Sequence, residues 1–385
     1  MNGLFIVDSD YNSLVQKGVV SGIAARNEGG FLGEAITVHP FALCDRNISL
    51  SGGACLVEIR NPTGGRVRPI LWLRYLLHLC VVLHRVTGLV RRHRIDFIRA
   101  QDPYFCGLLG YIAARITGRK FCISVHADYD RMEELAPGRA APRIFQSRYL
   151  AKCLERFLFS RADRILAITE YTARYAERNG AREDRIRLFR HMLDMSDFCF
   201  TPHPGGNVIS VVSRLSLQKH ILDVVTIALA LKQRGVVCRI EVAGDGDLRD
   251  QLEDMIRCHE LNKMVVLLGF QDRRGVADLY RRAAVNLALH GGASLIEASF
   301  SGRPTVAYDW EWHREAVIDG ETGCLVAEGD QLAAADALAD LLSAPERSSQ
   351  MGRNANQLIM KKYDGAALLE ARRDVYRGLV GSGIE

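Results

Sequence analysis

The sequence predicts an α/β protein of two doubly wound domains, each built on a mainly parallel sheet. Three observations lead there. The chain has 385 residues, 48% of them apolar, which is more than one hydrophobic core usually absorbs. Short apolar or β-branched runs alternate with longer stretches of helical composition, as strand–helix–strand units require. The alternation breaks at FTPHPGG (200–206), where two prolines and two glycines cluster, and then restarts. That is the pattern of a domain boundary.

In the first domain, residues 1–200, strands are expected at 3–8 (GLFIVD), 35–39, 95–101 (IDFIRAQ), 120–126 (KFCISVH), 164–169 (RILAIT) and 186–190. In the second, residues 207–362, they are expected at NVISVVS, RIEVAG, MVVLLG, VNLAL, PTVAY and GCLVA, each rich in the residues that fit a pleated surface. Residues 363–385 contain LLEARRDVYRGLV, read as an amphipathic helix that crosses back to the first domain. Two such halves are expected to take a ligand at the carboxyl ends of their strands, in a central cleft.

Composition narrows the class. Charged residues make up 25% of the chain, which fits a globular protein and excludes disordered scaffolds and fibres. The ten cysteines at 44, 55, 80, 106, 122, 153, 199, 238, 258 and 324 form no CxxC pair and read as reduced core thiols in a reducing compartment. The start, MNGLFIVDSD, has neither a basic n-region nor a long apolar h-region, so no signal peptide and a cytoplasmic location are expected. Residues 1–204 carry 29 Lys and Arg against 20 Asp and Glu, a surplus of nine, while the remainder carries 21 against 25. The basic half suits an acidic partner or is an ordinary arginine-rich solvated surface. No RNA or DNA module accompanies it, so no nucleic-acid partner is expected.

Leu71 to Val90 reads LWLRYLLHLCVVLHRVTGLV, long enough to span a bilayer. Two arginines inside it, at about 2.5–3.5 kcal/mol each at a membrane centre, argue against insertion. Arg74, His78, Arg85 and Arg92 fall on one helical stripe. A helix packed on the sheet with its basic residues surfacing is expected. The sharper reading is a peripheral contact with the inner face of an anionic membrane, continuing into Arg91, Arg92 and Arg94.

Chemistry concentrates in the second domain. The strand NVISVVS runs into Arg214 and then Lys219 before a helix that starts near His220. Two cations beside a helix N-terminus suit a diphosphate, or they are a pair of surface cations. In VAGDGDLRDQLE, Gly244 and Gly246 allow a tight turn, and Asp247 is placed to cap the next helix with Asp250 as a weak capping box. The pairs Asp8/Asp10, Asp128/Asp130 and Asp245/Asp247 could hold a divalent metal. Each follows a strand, where Asp is common as a cap, and capping is the favoured reading. In LHGGASLIEASF, Gly291 and Gly292 let the backbone approach a ligand, and a helix from Ala293 carries Glu297 one turn in. A carboxylate there can accept two hydrogen bonds from vicinal hydroxyls, as on a ribose.

These motifs together resemble the retaining glycosyltransferases of family 4, the group 1 type of the GT-B fold, over nearly the whole chain and most closely from Val208 to Val326. SRLSLQKH is similar to the family's G-R-L-x3-K-G phrase, with Ser213 and His220 in place of glycines. AGDGDL, LLGF followed by ADLYRRA, LIEASFSGRPTVAYD and DGETGCLV look like family phrases. In the first half, SRADRILAITEYTARY and SVHADYD do so too. The resemblance implies a hexose-type sugar moved from a nucleoside diphosphate sugar to a glycan or lipid-linked acceptor, in cell-surface polysaccharide or glycolipid synthesis. Arg214 and Lys219 would hold the donor diphosphate, and His126 would stand near the donor sugar as a third catalytic residue. Glu297 would hold the ribose, and Gly269, Phe270 and Gln271 would form the base pocket. The segment His290, Gly291, Gly292, Ala293, Ser294 and Leu295 would complete donor binding. No obligatory cofactor or metal is implied, and the acceptor residues are not indicated.

The sequence also departs from the family. Its paired glutamates stand eight apart, yet eight before Glu297 is Leu289, with His290 next to it. The glycines expected after Asp309 are Glu311 and Trp312, and the asparagine–glycine phrase near Asp194 reads HML. These changes mark a divergent subgroup with an altered sugar pocket. His290 or the Trp310/Trp312 pair would stand in for the missing contacts, unless His290 is a buried structural histidine. A sugar-nucleotide epimerase of the same fold and a non-catalytic, sugar-nucleotide-binding partner subunit are the alternatives.

Overall fold

The computed structural model describes residues 1–8, 10–16, 22–23, 25–60, 70–135, 137–138, 141–142 and 146–381, and of residues 13, 16 and 70–78 the backbone alone. The chain divides into two compact units, Met1–His191 with Ala366–Glu385, and Met192–Gly365.

The first unit is built on β1 (Asn2–Ile6), β2 (Glu34–Ala42), β3 (Arg46–Ser49), β4 (Ala54–Arg60), β5 (Phe97–Ala100), β6 (Lys120–Val125), β7 (Arg164–Ala167) and β8 (Ile186–Leu188). They form one sheet in the order β3-β4-β2-β1-β5-β6-β7-β8, parallel except for the antiparallel pair β3–β4. The inner strands β1, β2, β5, β6 and β7 are mostly buried because both faces are covered, whereas the edge strands β3 and β8 are not. Val82, Val86 and Val90 of the helix Ile70–Arg92 recur every fourth residue and are buried on one face with Leu109 and Ala113. Each such side chain contributes about 1.5–3 kcal/mol on burial. On the other face Tyr376 of the C-terminal helix Gly365–Val380 stacks on Phe97 with ring centroids 4.6 Å apart.

The sequence reading missed β3 and β4. The signal was present: in NISLSGGACLVEIR, Gly52 and Gly53 both take positive φ in the turn, as a short glycine-containing hairpin loop requires. A Cβ on Gly53 would lie 2.7 Å from the carbonyl oxygen of Gly33.

On the helix Ile70–Arg92, Arg85 pairs with Asp45 at 2.5 Å, and Arg91 and Arg92 are exposed. The side chains of Arg74 and His78, the rest of the expected stripe, lie outside the described residues. Among the described residues no helix is long and apolar enough to cross a membrane. The ten cysteines are free, but only Cys106, Cys122 and Cys238 are buried, while Cys80, Cys153, Cys199 and Cys258 are exposed. The expectation of core thiols holds for three. The exposed ones sit on the outer faces of helices or in a loop, where no core partner is needed.

The second unit contains β9 (Val208–Val212), β10 (Arg239–Ala243), β11 (Val265–Gly269), β12 (Val285–Leu287), β13 (Thr305–Tyr308) and β14 (Gly323–Val326), at the six places the sequence indicates. Their order is β11-β10-β9-β12-β13-β14, and every pairing is parallel. Chain order therefore reverses between β9 and β12, the switch point at which such sheets bind ligands beyond their carboxyl ends. Ile209, Val211, Ile240, Val285 and Val306 form the sheet's part of the core. Asp272 and Asp330 cap their helices through Gly275 N at 2.8 Å and Ala333 N at 2.9 Å.

Asp247 does not act as a cap. The helix Arg249–Cys258 starts after Leu248 with no side-chain cap. Leu248 N is already bonded to Leu215 O at 3.0 Å and Arg249 N to Gly246 O at 3.1 Å, so the backbone itself holds the helix entry.

Candidate functional site

The loop after β9 carries Arg214. It is held against the loop after β10 by Ser213 N to Ala243 O at 3.1 Å and Leu215 N to Asp245 O at 3.0 Å. Gly244 and Gly246 make that approach feasible: both have positive φ, and a Cβ on either would overlap the carbonyl oxygen of Ser213 or Leu215. A single turn, Leu217–Lys219, follows, and His220 closes it in the left-handed conformation at φ 52°. This is why a glycine suits that position in the phrase. Here the imidazole lies 3.6 Å from Asp223 and 3.5 Å from Glu328, contacts that help to offset about 1–2 kcal/mol of left-handed strain.

Arg214 is exposed and Lys219 half-buried, and neither side chain has a hydrogen bond or ion pair among the described residues. Burial and the Arg214 charge hold the Lys219 ammonium below its ordinary range, with Glu311 opposing. Lys219 lines a small recess at the switch point with Val212, Ser213, Leu289, His290 and Gly291. A larger recess, lined by Lys232, Val236, Glu260 and Lys263, lies at the opposite, amino edge of β10 and β11. It has no place at the switch point.

From the β12 side, His290 reaches the same recess. Its Nδ1 bonds Gln218 O, and a carbonyl accepts only, so Nδ1 carries the proton and Nε2 keeps a lone pair. Burial, with Lys219 adding to it, pushes this imidazole down to about 3, so it is neutral at physiological pH. Trp310 packs 5.0 Å from it, and Trp312 meets His313 edge-on at 5.6 Å. His313, fully buried, places Nδ1 2.7 Å from Tyr308 O, to which it donates, and Nε2 3.4 Å from Gly291 O, bringing the HGG turn to the end of β13. Leu289 is 4% exposed and belongs to the hydrophobic core. The position that would carry the family's first glutamate thus holds an apolar side chain that belongs to the core, and His290 brings a polar side chain to the recess that both residues line.

Gly292 precedes the helix Ala293–Phe300 without a side-chain cap, which leaves first-turn N–H groups for another acceptor. Leu295 is buried and fixes the helix, while Ser294 O receives the Tyr280 hydroxyl at 3.0 Å. Glu297 is half-buried, and its carboxylate makes no hydrogen bond among the described residues. Burial raises it above the ordinary carboxylate range, with Arg273 opposing. At the end of β11, Gly269 turns with φ 69° and its carbonyl receives Gly244 N at 2.9 Å. Phe270 projects outward, 78% exposed, and Gln271 donates to Leu268 O at 2.9 Å. All these residues belong to the carboxyl edge of one sheet. Asp309 is paired with Arg314.

His126 lies in the first unit, just beyond β6, stacked on His191 at 5.5 Å. Burial pushes it down to about 3, with His191 and Arg99 adding to the effect. Asp128 accepts from Asp130 N and Arg131 N at 3.0 Å each and from Tyr171 and Arg178, so Asp128 caps a helix, while the Asp130 carboxylate pairs with Arg148 at 2.8 Å and with Lys152. Asp245 accepts from Gly246 N at 2.8 Å. Among the described residues no group of three or more His, Cys, Asp or Glu side chains could hold a metal ion.

Two family models match the chain: the glycosyl transferase 4-like domain at residues 32–190 and glycosyl transferases group 1 at residues 200–358. Alpha-D-kanosaminyltransferase of Streptomyces kanamyceticus is 25% identical over 69% of this chain and 72% of its own. Glycogen synthase of Mycobacterium tuberculosis is 27% identical over 50% of this chain and 48% of its own, about half that relative's length. Among solved structures, sucrose-phosphate synthase from Thermosynechococcus elongatus superposes with a TM-score of 0.77 at 17% identity, covering 99% of this chain and 100% of that one. Anabaena HepE in complex with UDP gives 0.73 at 18% identity, covering 98% and 100%.

Proposed function

The chain belongs to the group 1 glycosyltransferases of the GT-B fold, family 4 type, and from that premise we propose a retaining enzyme that transfers a hexose-type sugar. The donor is a nucleoside diphosphate sugar, and the acceptor is a glycan or lipid-linked glycan of cell-surface polysaccharide or glycolipid synthesis. The observation that carries this reading is the pair of cations, Arg214 and Lys219, at the switch point of the second sheet, neither with a side-chain ion pair among the described residues. Fixed positive charge there stabilises a departing diphosphate with no reorganisation at the moment of reaction. In the proposed step the bond from the anomeric carbon to the diphosphate oxygen breaks. The acceptor oxygen bonds that carbon on the same face, and its proton passes to the leaving diphosphate. The protein's part is to position the donor and to hold the developing charge. Neutral His290, with its Nε2 lone pair, accepts a sugar hydroxyl where the family uses a carboxylate.

The test is incubation with a panel of nucleoside diphosphate sugars, each with lipid-linked and soluble glycan acceptors. Released nucleoside diphosphate is measured, and the anomeric configuration of the product is read by NMR. An inverted product rejects the retaining mechanism. Donor consumption without an acceptor-linked product favours an epimerase. The buried Leu289 favours one further reading, a non-catalytic partner subunit, and turnover by the purified chain alone rejects it.

For Glu297 we expect alanine to weaken nucleoside diphosphate binding by about 1.5–3 kcal/mol, the scale of hydrogen bonds to a charged group. Calorimetry with the nucleoside diphosphate alone isolates the ribose contact, and an unchanged affinity makes Glu297 only a helix residue.

A membrane-surface role is proposed for the exposed Arg91 and Arg92 with Arg94. Each basic residue near an anionic surface adds about 1 kcal/mol, and salt screens it. Flotation with anionic liposomes at low salt, lost at high salt, is the expected result. No anionic-lipid-dependent binding at low salt rejects the role.

A further inference from the structure

The first unit holds a second concentration of positive charge that the donor chemistry does not use. Arg26 lies over the ring of Phe5 at 5.3 Å, and Arg99 lies 5.9 Å from the same ring and 4.3 Å from Phe189. Arg372, from the C-terminal helix, lies 4.3 Å from Phe189. Three guanidinium groups and two rings are thus interleaved over the carboxyl half of the first sheet, where Phe5 is in register with Thr37 of β2 and Arg99 of β5. Among the described residues one carboxylate answers them: Glu28, buried, bonded to Arg372 at 2.7 Å.

The remaining partners are neutral. Arg26 donates to Thr37 Oγ1 at 2.9 Å, and Arg99 donates to Ser124 Oγ at 2.8 Å and to the Tyr376 hydroxyl at 2.8 Å. Neither arginine has an ion pair among the described residues. Nε of Arg372 is buried without a partner, while Arg26 and Arg99 are half-buried. The stacked pair His126 and His191 stands alongside. Burial and the neighbouring arginines push these imidazoles down to about 3 and about 4, so they add no charge. Burial and Arg99 likewise hold Arg26 at about 10.

Holding two uncompensated guanidinium groups together in a partly desolvated place is costly, and an oxyanion with several acceptor atoms removes the cost. We propose that Arg26, Arg99 and Arg372 form an anion-binding site that takes a phosphate or carboxylate carried by the acceptor. Naming the ligand an acceptor rests on the glycosyltransferase reading, while the anion site itself does not. The two phenyl rings, each between two of the guanidinium groups, help to hold them in place, so the site is preorganised before the ligand arrives.

The test uses the full chain carrying Arg214→Ala and Lys219→Ala, which silences the second unit's cation pair. Inorganic phosphate, glucose 1-phosphate, glucuronate and, as a neutral control, glucose are titrated by calorimetry, with the melting temperature followed in parallel. Inorganic phosphate and at least one anionic sugar should bind and glucose should not. Preference for glucose 1-phosphate or for glucuronate tells a phosphorylated acceptor from an acidic one. Adding Arg26→Gln should weaken anion binding about tenfold or more, as expected for charge-assisted hydrogen bonds, and Arg26→Lys should restore part of it. Without ligand, Arg26→Gln should melt no lower than its parent, because it removes an uncompensated charge. Absence of phosphate binding, equal binding by Arg26→Gln, or a marked fall in its ligand-free melting temperature overturns the site. If no acceptor supports donor turnover in the unmodified protein, the transferase reading fails while the phosphate titration still decides the anion site.

Discussion

Alanine at Arg214 or at Lys219 is expected to lower turnover about 10²-fold or more, because each change removes one of the two fixed charges that face the departing diphosphate. Neither side chain bonds another described residue, and Arg214 is exposed, so folding should persist and the melting temperature should move little. The signature is a fall in kcat with a smaller change in donor KM, since the leaving group carries more charge in the transition state than in the bound donor. Released nucleoside diphosphate is the measurement. Near wild-type rates in both variants would sink the assignment of the diphosphate site. The double variant should fall short of the product of the single effects, because the two cations are close enough for the Arg214 charge to act on the Lys219 ammonium.

Gly244→Ala is expected to have the next largest effect, on stability and activity together. The new Cβ would overlap the carbonyl oxygen of Ser213, and both atoms belong to backbone tied down by Ser213 N to Ala243 O, so no side chain can swing away. Overpacking and the unfavourable positive φ together should cost about 3 kcal/mol. The strained loop is the one that carries Arg214, so turnover should drop about tenfold or more even at temperatures where the variant is folded. Urea unfolding gives the stability change, and assay below the transition gives the activity change. A variant as stable as its parent would show that the loop after β9 can move away from that after β10. In that case Arg214 would not be held in one place.

The second unit was legible because its signals are local. Six apolar runs and the prolines and glycines between them mark strands and turns within a few residues, and the parallel α/β pattern follows from their alternation with helices. The motif residues Arg214, Lys219, His290 and Glu297 sit in the connection that follows a strand or in the first turns of the next helix, so once the strands are placed the carboxyl edge that collects them is placed too. Local rules erred where tertiary bonds competed with them. Asp247 has the chemistry of a cap, but Leu215 O already satisfies the helix entry. Leu289 stands at the sequence position of a ligand group, but its side chain is apolar and serves the core, and the polar side chain brought to the recess is that of His290. The hairpin β3–β4 went unseen although its Ser-Gly-Gly turn was readable.

The sequence by itself determined the fold class, the strand positions of the second unit, the family and the cations at the switch point, because these depend on periodicity, turn chemistry and spacing along a short stretch of chain. Only the tertiary structure decided that Arg26, Arg99 and Arg372 share one place with, among the described residues, the one carboxylate of Glu28. Arg99 meets Tyr376 across 277 positions and Arg372 meets Glu28 across 344, and no spacing rule acts over such distances. The same holds for His126 and His290, which the surrounding burial and cations make neutral. Charge state and charge compensation are set by which groups packing brings together, and packing is a property of the folded chain.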